Sequence, residues 1–356
     1  MVLYFFAILD KNNTLRYIMG GSIFEQILRY KQGGCIVDRK TKILLIIATS
    51  FALAGCIVFC CVLMVSNRDF IKLPTVHYET NTFEINEEFK DVSIETNTDD
   101  IVFAPSDDGK CSVVCYDQNN LIHSAIVKDE TLFVQVADTR KWYNYIGINF
   151  GQPKITVYLP EREYGRLFVK TDIGDVEMPK EFWFDSLDIS VSTGDVSNFA
   201  CASGNIKIET STGDIFTQNI SADKLELSVS TGKVTAENVN CLGDIVVKVS
   251  TGKAGLTNIQ CRNFTSIGST GDLSLKNMIA TEKLWMERST GDIHFDGCDA
   301  AGITIITDTG DVTGTLLTEK IFMTETDTGK INVPQTVTGG ICQVTTDTGD
   351  IRIALQ

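Results

Sequence analysis

The chain is short of the groups on which hydrolytic chemistry is built. Only three histidines, His77, His123 and His294, occur in 356 residues, far apart from one another. No Gly-x-Ser-x-Gly segment is present to seat a nucleophile, so a Ser/His/Asp triad has nothing to assemble around. Cys-x-x-Cys is absent as well, which argues against a structural zinc site or a thioredoxin-like motif. Basic charge is scarce: 31 Lys and Arg stand against 46 Asp and Glu, a net charge of −15. Phosphate binding needs a basic footprint, so nucleic acid is excluded as a partner. Apolar residues are not lacking. At 43% they suffice for a core and exclude a disordered acidic tail.

Charge is also missing locally. The 23 residues from Ile43 to Val65 carry none, and a helix of that length at about 1.5 Å per residue crosses a hydrocarbon core of about 30 Å. Residues 1–42 hold seven basic and three acidic side chains, +7 − 3 = +4, which leaves −15 − 4 = −19 for the remainder. The bias predicts a single-pass cell-membrane protein with its N-terminus in the cytoplasm and its acidic part outside. Leu53-Ala54-Gly55-Cys56 also resembles a lipobox, with Arg39, Lys40 and Lys42 as its basic flank. Two readings stay open: an uncleaved anchor, favoured because Ile57 to Val65 remain apolar, and a lipoprotein acylated at Cys56.

Beyond residue 170 the sequence repeats. Gly174, Gly194, Gly213, Gly232, Gly252, Gly271, Gly291, Gly310, Gly329 and Gly349 recur in steps of 19 or 20, nine of them preceded by Thr. An aliphatic residue stands two places after each glycine, and the preceding residues alternate, as in Leu225-x-Leu227-x-Val229. Period-two alternation around a Gly turn means short strands. A unit this small cannot bury its own apolar face and must stack on its copies, and it is half the length of a propeller blade. The expected fold is all-β: a parallel β-solenoid (β-helix) of about ten coils, preceded by one transmembrane helix, each winding covering the one before it. Glycine serves the corner, where positive φ is needed.

Stacking puts like residues above one another. Asn219, Asn238, Asn258 and Asn277, each six places after its glycine, predict an asparagine ladder with the following side chain turned inward. The residue after the glycine is Asp in seven copies and Lys in three. Stacked carboxylates repel unless screened or bridged, so Asp308, Asp311, Asp347 and Asp350, where carboxylates double per turn, are calcium candidates. The Asp-Thr-Gly triplets at these positions match the aspartic-protease triplet but continue a row of Ser-Thr-Gly turns, so they read as rungs, and no cofactor is expected. Cys241 and Cys261 share a place in successive coils, within disulfide range. Cys201 and Cys298 share another and read as buried core thiols.

Lys154-Ile155-Thr156-Val157-Tyr158-Leu159-Pro160, then Leu167 to Lys170 leading into Thr171-Asp172-Ile173-Gly174-Asp175, and the Ser-Thr-Gly-Asp series after them resemble the bacterial putative adhesin family of β-strand-repeat envelope proteins, a domain of unknown function. The resemblance covers roughly residues 75–356. It implies an anchored extracytoplasmic β-solenoid with no catalytic residues, and adhesion or envelope-stress roles.

The expected organisation is a cytoplasmic segment (1–42), a transmembrane helix (43–65), a linker (66–75), an irregular β lead-in and cap (76–170) and the solenoid repeats (171–356). Trp142, Tyr143 and Tyr145 in the lead-in form a candidate contact loop, with folding over the cap as the rival reading. The function expected is a non-catalytic, adhesin-like module contacting envelope proteins or glycans. An envelope-stress sensor is the alternative, and a polysaccharide-active β-helix enzyme the less favoured one, because its carboxylate-lined groove would need long loops.

Overall fold

Alternating aliphatic residues flanking a Gly turn leave each coil with one apolar side and unpaired strand edges above and below. The computed structural model describes residues 6–9, 15–18, 47–57, 78–118, 121–138 and 153–356, divided into two compact units, 1–73 and 74–356. In the first, Phe6–Leu9 pairs antiparallel with Leu15–Ile18, and residues 47–57 are helical and exposed. Among the described residues no helix is long and apolar enough to cross a membrane. The span expected at 43–65 lies only partly within the described residues. The linker at 66–75 and the loop with Trp142, Tyr143 and Tyr145 lie outside them.

The second unit is an all-β parallel solenoid of about ten turns. Its coils stack in register: Leu167, Leu187, Ile206, Leu225 and Ile245 form one column, and Val169, Ile189, Ile208, Leu227 and Val247 the next. All ten of these side chains are buried. Such columns hold the rod together, because burying each aliphatic side chain contributes about 1.5–3 kcal/mol and adjacent coils share the backbone hydrogen bonds.

The order of the coils departs from the winding expected. The strand Gly340–Thr348 pairs with Ile293–Thr309 on one side (Ile303 with Cys342) and with Lys320–Thr328 on the other (Phe322 with Cys342). The Gly349 coil is thus inserted between the Gly310 and Gly329 coils, and Gly329, not Gly349, turns the outermost coil. The N-terminal end does the same. The coil containing Asp91–Thr96 and Asp100–Pro105 lies between the Gly174 coil and a coil made of Thr131–Asp138 and Lys154–Leu159. At each end an outer coil is displaced by one position, so that the Gly349 coil, which leads to the C-terminus, is clamped between two others and kept from fraying.

The two ends differ in how their edges are covered. At the N-terminal end Leu121–Lys128 pairs antiparallel with Thr131–Asp138, Cys111–Gln118 with Lys154–Leu159, and Tyr78–Ile85 with Cys111–Gln118. The lead-in therefore consists of two parallel coils with an antiparallel cover.

Candidate functional site

The corner row carries most of the sequence signal, and its geometry explains each residue type. A Cβ added at any of the ten corner glycines would stand 1.8–2.3 Å from a backbone carbonyl oxygen of the neighbouring corner, and nine of the ten hold φ between 121° and 157°. Close approach and positive φ together exclude any other residue. The first coil turns at Asp99 instead, whose carbonyl oxygen meets Gly174 in the same way.

Where Asp follows the corner glycine, its carboxylate closes the corner's hydrogen bonding. Asp195 N donates to Asp175 Oδ1 at 2.7 Å, Asp214 N to Asp195 Oδ1 at 2.7 Å and Lys233 N to Asp214 Oδ1 at 2.7 Å. The row continues through Asp292 N to Asp272 and Asp311 N to Asp292. Each carboxylate accepts the backbone N–H that the turn has pulled out of the strand ladder. Where lysines stack, at Lys233 and Lys253, the strands Lys224–Cys241 and Asp244–Thr270 run through the corner and pair there directly, so no carboxylate is needed.

The calcium candidates resolve into different roles. Asp350 N donates to Asp311 Oδ1 at 2.8 Å and Lys330 N to Asp350 Oδ1 at 2.8 Å. Arg352 bridges the remaining oxygens, Nη2 to Asp311 Oδ2 at 2.7 Å and Nη1 to Asp350 Oδ2 at 2.6 Å. A guanidinium holds the place where a cation was expected. Asp308 and Asp347 are exposed, and no cluster of three or more metal-ligating side chains occurs among the described residues.

The four asparagines form a ladder. Asn277 Nδ2 donates to Asn258 Oδ1, Asn258 Nδ2 to Asn238 Oδ1 and Asn238 Nδ2 to Asn219 Oδ1, at 2.8–2.9 Å. All four hold φ between 51° and 57°, a left-handed turn that Asn tolerates and that turns Ile220, Val239, Ile259 and Met278 into the core. In the next coil Gly297, with φ 60°, takes the column without a side chain. Beside the ladder lies an open groove of about 440 Å³ lined by Asn238, Asn240, Asn258, Gln260, Asn277, Val239 and Ile279. Five amides and no charged group face it, a surface that offers paired donors and acceptors to an uncharged polymer.

Cys241 and Cys261 occupy one column with Ala222 and Ala280, and both thiols are free. Burial pushes the Cys261 thiol up to about 12. Cys298 is buried, as expected, but Cys201 is half-buried, because Ala200 and Ala202 take the inward positions of its coil. His294 is exposed and bonds Thr313 Oγ1 through Nδ1 at 3.0 Å.

Two buried polar groups had no signal in the repeat. Arg288 is 2% exposed and fills the inward place that Gly268 vacates in the adjoining coil. Its Nη2 donates to Ser266 Oγ at 2.9 Å and its Nη1 to Glu287 O at 2.7 Å, and burial lowers its pKa to about 10. At the N-terminal cap, His123 Nδ1 meets Asp117 Oδ1 at 2.5 Å and its Nε2 meets Asp99 Oδ2 at 3.2 Å. Thr96 Oγ1 also donates to Asp99, and Asn81 Nδ2 to Asp117 Oδ2 at 2.6 Å. Burial disfavours the charged imidazole, yet the bonds and charges of Asp99, then Asp117, outweigh it and raise its pKa. The cluster ties the first corner to the antiparallel cover. Its members lie at 99, 117 and 123, a spacing that matches no motif.

Together these rows define a repeat-built β-solenoid whose corner residues are committed to structure and whose amide face is open. The chain belongs to the Toastrack DUF4097 family, a domain of unknown function, which it matches over residues 89–246 and 240–356. No curated protein sequence matches it. Among solved structures it is similar to a putative adhesin from Bacteroides fragilis, at 17% identity over 79% of this chain and 99% of that one, with a TM-score of 0.36. It is likewise similar to a putative adhesin from Parabacteroides distasonis, at 14% identity over 68% and 98% with a TM-score of 0.43. A putative lipid binding protein from Parabacteroides distasonis matches at 17% identity over 67% and 96%, with a TM-score of 0.40.

Proposed function

We propose that the chain is a single-pass envelope protein, with residues 1–42 in the cytoplasm, the span at 43–65 and the solenoid outside, acting as a non-catalytic, adhesin-like contact module. The uncharged run and the Lys/Arg bias of residues 1–42, with Arg39, Lys40 and Lys42 next to the run, support the topology. The observation that carries the contact role is the amide-lined groove beside the ladder. Its donors and acceptors repeat with the coil spacing of about 4.8 Å, which suits a neutral, repetitive ligand such as an envelope glycan, and its ladder holds the asparagines fixed in advance of binding.

Two measurements on the full chain test this. In intact cells a membrane-impermeant amine reagent is expected to label Lys233 and Lys253 and to spare Lys11 and Lys31; the opposite pattern refutes the topology. Asn240→Glu with Gln260→Glu places two charges in the groove without touching the ladder and is expected to abolish retention of purified envelope glycan. Unchanged retention, or none by the unaltered protein, refutes the contact role.

A further inference from the structure

The C-terminal end of the rod is open. Lys320–Thr328 pairs on one side only, with Gly340–Thr348, and Ile331–Asn332 only with Ile351–Leu355, so among the described residues nothing pairs with their outer edges. Of the usual protections of an edge strand, no proline lies within 320–332 and Lys320, the one base of the strand, is turned in and bound to Asp299 at 2.7 Å, which leaves exposed Glu325, Asp327 and Lys330 as the charges near the edge. Apolar side chains concentrate at the same place. Of eighteen large hydrophobic residues that are exposed among the described residues, six fall between 317 and 341, namely Leu317, Ile321, Met323, Ile331, Val337 and Ile341. Ile331 belongs to the interior column of Ile351, which is fully buried; it is 45% exposed because the stack stops there.

We propose that this end pairs with the same end of a second copy, strand Lys320–Thr328 against its twin in antiparallel order about a twofold axis through Thr324. Three observations select a second copy over an unrelated strand. The end coil presents an interior as well as an edge, with Phe322 and Thr324 half-buried on its inward side and Ile331 uncovered, and the same coil of a second copy brings an uncovered interior of the same kind. The strand is self-complementary: centred on Thr324, Phe322 faces Thr326 on the inward side, while Ile321 faces Asp327 and Met323 faces Glu325 outside, so no like charges oppose one another. A shift of the centre by half a residue would set inward against outward side chains, and centring on Glu325 would set acid against acid. Finally, the antiparallel cover at the N-terminal end leaves no equal edge for head-to-tail growth, so the contact closes as a dimer.

The proposal does not depend on the contact role of the amide groove, and its test reads a different property. Full-chain protein in detergent is followed by sedimentation over a concentration series, and two substitutions at one exposed position read the register. Ile321→Asp sets two Asp–Asp pairs across the axis and is expected to lower the association constant on the order of tenfold, whereas Ile321→Lys sets Lys against Asp327 and is expected to preserve it. Both leave the fold intact by circular dichroism, since the side chain is exposed. Thr324→Cys, which lies opposite itself, is expected to give an oxidised dimer beyond any formed by the unaltered chain under the same conditions. A chain that stays monomeric, equal effects of Asp and Lys, or no added cross-link at 324 would overturn the proposal, as would capture of a foreign strand by this edge in preference to a second copy.

Discussion

Replacing Gly252 by Ala isolates the physical basis of the repeat. Gly252 holds φ 136°, and an added Cβ would stand 1.8 Å from the Gly232 carbonyl oxygen, against the 3.0 Å that real Cβ contacts respect. One corner must therefore move by about 1.2 Å, 3.0 − 1.8. The strained φ costs about 1–3 kcal/mol, and one or two disrupted ladder hydrogen bonds add about 1 kcal/mol each, so a loss of about 2–5 kcal/mol is expected. Gly255, three residues on, supplies the control: nothing lies within 4 Å of its added Cβ and its φ is not positive. Ala there is expected to be neutral or to stabilise by up to about 1 kcal/mol, through the unfolded chain alone. Denaturant unfolding of the two variants, with hydrogen exchange of the amides around residues 225–275, separates them. Equal losses in both, or no loss in Gly252→Ala, would refute the reasoning.

Two further outcomes follow from the charged groups. Because the folded-state pKa of His123 is raised, the stability it gives the N-terminal cap is full below its unfolded value of about 6.5 and is lost as pH rises through the folded value; hydrogen exchange across 111–138 is expected to speed up with pH beyond its intrinsic rate, and His123→Gln to remove that excess. With Arg352 already bridging Asp311 and Asp350, millimolar calcium is expected to leave the melting temperature of the unaltered chain unchanged. Arg352→Ala is expected to cost at most about 1 kcal/mol, as exposed ion pairs do, and a calcium-induced rise in the unaltered chain would contradict the bridge.

What could be read from the residues themselves was whatever repeats. The corner glycines, the inward columns and the Asn219–Asn277 ladder recur at a fixed interval, and stacking converts that interval into contact. The coil order escaped for the same reason. Asp327-Thr328-Gly329 and Asp347-Thr348-Gly349 are identical, so neither says which of them lies against Gly310. The first coil was hidden because Asp99 stands where glycine would have marked the turn. Carboxylate repulsion suggested a cation at Asp311 and Asp350, but a side chain one strand position past the corner, Arg352, supplies the charge. His123 was visible only as one of three scattered histidines, since its partners come from different strands brought together by the antiparallel cover.

The stacking order itself is open to direct measurement by paired cysteines. Thr304 lies beside Gln343, and Gln343 beside Met323, so Thr304 and Met323 are two strand spacings apart, about 9.6 Å. Thr304→Cys with Gln343→Cys is expected to form a disulfide on mild oxidation, its Cα atoms being within bonding range, and Thr304→Cys with Met323→Cys is not. A cross-link in the second pair and none in the first would restore a sequential winding and contradict the inserted coil. Failure of both would contradict the parallel stack.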